Sequence, residues 1–245
     1  MDNVNHLLSG KERNLAASLV GTKIEYIEGY HLDVFDDYVL YHTARIGIAG
    51  RSPIDAINGF VPLQLPNGWT EDAGALALRP SAGDLWLPEG TAPAKLPVGE
   101  TVRRVAIVDD EDVLSSGGRT ETAVSFTQAI VLELESGFLA LDKGDWTDDY
   151  VHARRGEDPD ALLTDCSAPW IEEDGWSDAY RRRTTWLGGA GARPSSRACE
   201  VMARGACYRL VLLAGAFHLP PARKRAIKVP EDPSGMRATA GQVDI

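Results

Sequence analysis

The sequence predicts a mostly β to α+β fold, with two related antiparallel β modules packed together and a few peripheral helices. Three observations carry this reading. From Thr22 to about residue 155, stretches of apolar and polar residues alternate with a period of two, as half-buried strands do. A Ser136-Gly137 pair separates two β-prone runs and supplies the positive φ of a tight hairpin turn. Two short segments of the first half also recur in the same order in the second. Val20-Gly21-Thr22-Lys23-Ile24 resembles Val98-Gly99-Glu100-Thr101-Val102, and Asn67-Gly68-Trp69-Thr70-Glu71-Asp72 resembles Gly144-Asp145-Trp146-Thr147-Asp148-Asp149. Such a recurrence reads as duplication of a β module of about 75 residues.

The elements follow in order. Ser9-Gly10-Lys11-Glu12 fits a capping box, and Leu15, Leu19 and Val20 follow at helical spacing, so a short helix ends near Gly21. Ile24, Tyr26 and the stretch Tyr30-His31-Leu32-Asp33-Val34-Phe35 then alternate as a strand. Between Arg79 and Pro97, prolines and glycines mark a long connection. The hairpin runs from Thr127 through Glu135 to a return strand from Phe138 to Leu141, with Leu132 and Leu134 on its buried face and Glu133 and Glu135 opposite. Beyond Arg155 the pattern reads as helical, with Asp158-Pro159 suited to a cap and first turn. The expected domains are residues 1–85 (helix and first β module), 96–187 (second β module with helical extension) and 188–245, a basic segment rich in Gly, Ala, Arg and Pro whose end has the composition of a mobile terminus.

Charge is the most distinctive bulk property. The net value of −11 combines residues 1–180, with 13 Lys and Arg against 32 Asp and Glu (net −19), and residues 181–245, with 12 against 4 (net +8). An acidic body repels nucleic acid and anionic membrane and attracts basic proteins. Three cysteines, Cys166, Cys199 and Cys207, form no C-x-x-C pair and read as free thiols of a reducing compartment. The start of the chain lacks the pattern of a secretory signal, and the longest apolar run, Leu210 to Phe217, is too short to cross a bilayer. A cytoplasmic protein is expected, and that run is a candidate for self-association.

Asp109, Asp110, Glu111 and Asp112 follow a strand-like run and are the sharpest candidates for metal or acid/base chemistry. Consecutive side chains on an extended chain point to opposite faces, so the four read as a solvated loop instead. Asp145, Asp148 and Asp149, beside Trp146, miss the spacing of a calcium loop. The five histidines lack a metal spacing, and no nucleophile elbow or phosphate loop is present, so no cofactor is expected. Arg181-Arg182-Arg183, between Tyr180 and Trp186, has the residue types of a nucleic-acid contact, but nearby acids such as Asp178 favour a salt-bridge network.

These features lean away from an enzyme. They point to an acidic bacterial interaction protein, such as an inhibitor or immunity protein that occludes a basic protein partner through Asp109, Asp110, Glu111, Asp112, Asp145, Trp146, Asp148 and Asp149. The alternative is a metal-dependent or acid/base hydrolase that uses the same clustered carboxylates.

Overall fold

The computed structural model describes residues 2–34, 38–64, 68, 70–167 and 176–188. Cys199, Cys207, the Leu210 to Phe217 run and the basic segment beyond Gly188 lie outside the described residues. The described chain is mostly β. Its elements are β1 (Asp2–His6), α1 (Gly10–Ala17), β2 (Lys23–Gly29), β3 (His31–Val34), β4 (Tyr38–Tyr41), β5 (Thr43–Ile48), β6 (Ile54–Gln64), β7 (Thr70–Pro80), β8 (Ala94–Thr101), β9 (Arg104–Ser116), β10 (Arg119–Glu133), β11 (Phe138–Asp142), β12 (Val151–Gly156) and β13 (Trp176–Leu187), with one 3-10 turn at Asp160–Leu162.

The strands form two sheets. The larger runs β13-β9-β10-β11-β12-β4-β3, and the smaller runs β7-β6-β5-β2-β8. All pairings are antiparallel except that of β1, which lies parallel to the first half of β10. One apolar core joins the sheets: Ile24, Ile46, Ile54 and Leu78 from the smaller meet Ile107, Ile130, Leu132 and Leu141 from the larger. Sheets with one apolar face each must bury that face against another element, which explains the two-layer arrangement.

The helix begins as its sequence predicts. Ser9 Oγ accepts from the Glu12 backbone N–H, and Glu12 Oε2 accepts from the Ser9 N–H at 2.8 Å. The other oxygen of Glu12 accepts from the backbone N–H of Leu78 at 3.1 Å, so the cap also ties α1 to β7. The hairpin is also present. Leu132 and Leu134 are buried, while Glu133 is half-buried and Glu135 exposed. At the turn Gly137 has φ 151°, and a Cβ there would stand 2.6 Å from the carbonyl oxygen of Gly156.

The region beyond Arg155 differs from the expected helical extension. Its described part is the 3-10 turn and the long strand β13, which pairs along β9 from Trp176 opposite Ser116 to Leu187 opposite Val105. Thr184, Thr185 and the aromatic Trp186 favour a pleated surface, and the otherwise open edge of β9 supplies the hydrogen bonds. The recurring segments at Val20 to Ile24 and Val98 to Val102 are direct neighbours: Gly21 N–H donates to Val102 O and Val102 N–H to Thr22 O.

Candidate functional site

The residues singled out in the sequence lie on strand β9 of the larger sheet and on the loop between β11 and β12. Asp109, Asp110, Glu111 and Asp112 are not a solvated loop. They lie within β9, and Asp109, Asp110 and Asp112 are buried. Burying a carboxylate demands a partner, and β13 supplies a matched row. Arg183 stands opposite Asp109, Arg182 opposite Asp110 and Arg181 opposite Glu111.

Strand alternation divides this row between two faces. On one face Asp109 accepts from Arg13 of α1 at 2.8 Å and from the Thr127 hydroxyl at 2.8 Å, with Arg183 3.5 Å away. Glu111 and Arg181 complete that face as an open pair at 3.7 Å. On the other face Asp110 takes two bonds of 2.8 Å from Arg182 and one of 2.6 Å from the Tyr180 hydroxyl. Burial, and then the neighbouring Asp110 charge, pushes the Tyr180 phenol well above its ordinary value. For Arg182 burial acts downward and is the largest single influence, but the bonds to Asp110 and the Asp110 charge, with smaller help from Tyr180 and Cys166, together outweigh it and the guanidinium is held charged. Asp109 and Asp110, two of the carboxylates that most resembled a catalytic cluster, are therefore already engaged by the chain's own donors.

Beside this ladder lies a second buried polar group. A bulge in β10, between Thr127 and Ala129, inserts Gln128 into the face below Asp142. Gln128 Nε2 donates to Asp142 Oδ1 at 3.0 Å and to Gly144 O at 2.8 Å, and its Oε1 accepts from the Cys166 thiol at 3.4 Å. Asp142 also accepts from the backbone and hydroxyl of Thr164. These bonds bring the chain after the 3-10 turn back along β12, so that Cys166 meets the β11–β12 loop. Lys143, fully buried, donates to Asp145 O at 3.0 Å, and its ammonium faces the rings of Phe126 and Trp146. Burial lowers the Lys143 pKa, against the pull of the Cys166, Asp142 and Asp110 groups. Burial raises the free thiol of Cys166 to about 12. A thiol so placed carries little thiolate at neutral pH.

The β11–β12 loop is anchored from the smaller sheet. Asn58 Nδ2 of β6 points at the carbonyls of Lys143, Asp148 and Tyr150 at 2.7 to 3.0 Å, and Gly74 N–H of β7 donates to Trp146 O at 2.8 Å. Trp146 is buried against Phe126 and donates its indole N–H to Cys166 O. Asp145 is exposed, and Asp148 and Asp149 are half-buried. His152 faces Asp148 through Nε2 at 3.2 Å and Arg154 through Nδ1 at 3.0 Å. A guanidinium only donates, so Nδ1 accepts and the ring proton sits on Nε2, aimed at Asp148. That bond holds the Asp148 carboxyl below its ordinary value.

Of the sequence-predicted residues, then, the structure places Asp109, Asp110, Asp112 and Trp146 inside, and leaves Glu111, Asp145, Asp148 and Asp149 with access to solvent. Among the described residues, no group of three or more His, Cys, Asp or Glu side chains has the arrangement of a metal site. No helix among them is long and apolar enough to cross a membrane. Comparison with family models, curated proteins and solved structures finds no match to the chain.

Proposed function

We propose that this chain is an acidic interaction protein, of the inhibitor or immunity kind, that engages a basic protein partner through the carboxylates of its β11–β12 loop and the returning segment after β12. One observation carries the reading: between residues 145 and 160 most of the acids are exposed, while the two arginines are engaged by other groups of the chain. Asp145, Glu157, Asp158 and Asp160 are exposed. Arg154 donates to Leu162 O and the Thr164 hydroxyl, and Arg155 is committed to Glu100 and Ser136. A surface with unneutralised charge of one sign steers an oppositely charged partner and excludes like-charged ones. The pairing of Asp109 and Asp110 with Arg13, Arg182 and Arg183 argues against the hydrolase reading, because both carboxylates are buried and held by cations of the chain itself.

The test is affinity capture on the intact chain and on a triple variant, Asp145→Asn/Glu157→Gln/Asp160→Asn, which removes outward charge and leaves the Asp148–His152 pair in place. The reading expects a basic protein captured by the first and lost from the second, with melting temperature retained. Equal capture by both, or capture only of acidic proteins, contradicts it.

A further inference from the structure

Aromatic rings in this chain are repeatedly covered by the chain's own cations. Lys95 Nζ stands 3.4 Å from the ring centre of Tyr26, and the guanidinium carbons of Arg104, Arg154 and Arg182 stand 4.4, 4.9 and 5.7 Å from those of Trp186, Tyr38 and Tyr180. Lys143 serves Phe126 and Trp146 in the same way. A cation over a ring face is attracted by the ring quadrupole, so each of these pairs satisfies a charge and covers an apolar surface together.

Trp86 departs from that pattern. It lies on the extended connection between β7 and β8 and is 66% exposed, the most exposed large hydrophobic side chain among the described residues. Tyr30 meets it at 5.8 Å with ring planes at 87°, and His42 at 5.7 Å with planes at 47°. A backbone bond from His42 N–H to Tyr30 O, 3.1 Å, fixes those two supports relative to each other. The indole is thus braced from the chain side while most of its surface meets water.

Its surroundings select the kind of ligand. Asp84 lies two residues before Trp86 and Glu89 three after, and Asp33 lies three after Tyr30; all three are exposed. The lysine of the adjoining sheet edge, Lys95, is already held by Tyr26 and lies 3.6 Å from Glu28. We propose that Trp86, braced by Tyr30 and His42, is a docking platform for an arginine side chain of a basic protein partner. A guanidinium is planar and weakly hydrated, so it stacks on an open indole, and the exposed acids near Trp86 and Tyr30 in the sequence favour a cation there; an ammonium is more strongly hydrated and stacks less well. This rests on the reading above in that it takes the partner to be basic, and it adds which residue of the partner is read and where.

The experiment titrates the intact chain, at low and at moderate salt, with fluorescent peptides of alternating Arg and Gly, the same peptide with Lys in place of Arg, and a neutral oligosaccharide. Wild type is expected to prefer the Arg peptide to the Lys peptide. Trp86→Ala weakens Arg-peptide binding about two- to fivefold, the size of an exposed cation–ring contact, and erases the preference. Trp86→Phe retains part of it, and the indole N–H resonance missing from the Trp86→Phe spectrum moves on titration of wild type. Both variants keep the wild-type melting temperature, because the side chain is exposed. Equal Arg-peptide binding by wild type and Trp86→Ala overturns the platform and leaves the acidic surface standing. Failure of wild type to bind either basic peptide at low salt overturns both, and Trp86-dependent binding of the oligosaccharide alone reassigns the platform to a sugar.

Discussion

Asp110 on β9 and Arg182 on β13 stand opposite each other in register and are joined by two parallel bonds, Nε to Oδ1 and NH2 to Oδ2, both 2.8 Å. Asp110 is 1% exposed, so its charge depends on this partner. Arg182→Met should destabilise the fold by about 3–5 kcal/mol, the cost of leaving a buried charge alone. Adding Asp110→Asn to that variant should recover much of the loss. Urea denaturation of the two single variants and the double variant measures the coupling; simple additivity of the two would contradict a direct pair.

Leu134 lies at the end of the β10–β11 hairpin and is buried in the same apolar cluster as Leu132, Leu139 and Val98. Leu134→Ala should cost about 2–5 kcal/mol through lost burial and the cavity left behind. Glu135→Ala, one residue on and exposed, should change stability by less than about 0.5 kcal/mol. Denaturant melts of the pair check the face assignment.

Tyr41 is fully buried, and burial, then the nearby Glu28 charge, raises its phenol from 10.0 to about 12. The fold therefore favours the protonated phenol. Below pH 10 both states hold that proton and stability is unaffected; between pH 10 and about 12 the unfolded chain loses it first and stability falls. Tyr41→Phe should show a shallower loss across that window. Equal slopes for the two proteins in pH-dependent denaturation would contradict this origin.

The legible parts of the fold were those set by near neighbours. The capping box needs only Ser9 and Glu12, and the hairpin needs only Ser136-Gly137 between alternating runs, so both could be read from a short window. The burial of Asp109 to Asp112 depends on β13, some 70 residues away, and a local reading of four acids returns a solvated loop. One signal was available: an acidic triplet, Asp109-Asp110-Glu111, and a basic triplet, Arg181-Arg182-Arg183, each within β-prone sequence, complement each other in antiparallel register. Charge balance with the nearer acids, including Asp178, pointed instead to a network within one segment. Asn58, Gln128 and Lys143 gave no signal, because a lone polar residue on a strand acquires its role only from the loop packed over it.

Gly144 has φ 77°, and a Cβ there would stand 2.2 Å from Asp148 Oδ2 and 2.5 Å from His152 Nε2. Gly144→Ala should destabilise by about 1–3 kcal/mol from backbone strain alone, with the displaced Asp148–His152 pair adding to it. Gly50→Ala is the control, since Gly50 has a similar φ of 66° and nothing within 4 Å. Thermal melts should rank Gly144→Ala well below Gly50→Ala; equal losses would show that the pair does not press on Gly144.

The central claim, that the outward carboxylates recruit a basic protein, is tested most directly by the association rate of a captured partner measured across ionic strength. Long-range steering is screened by salt, so the rate for wild type should fall steeply as salt rises, and Asp145→Asn/Glu157→Gln/Asp160→Asn should associate more slowly with a shallower dependence. A rate that does not change with salt, or one that is the same for the variant and the wild type, would contradict it.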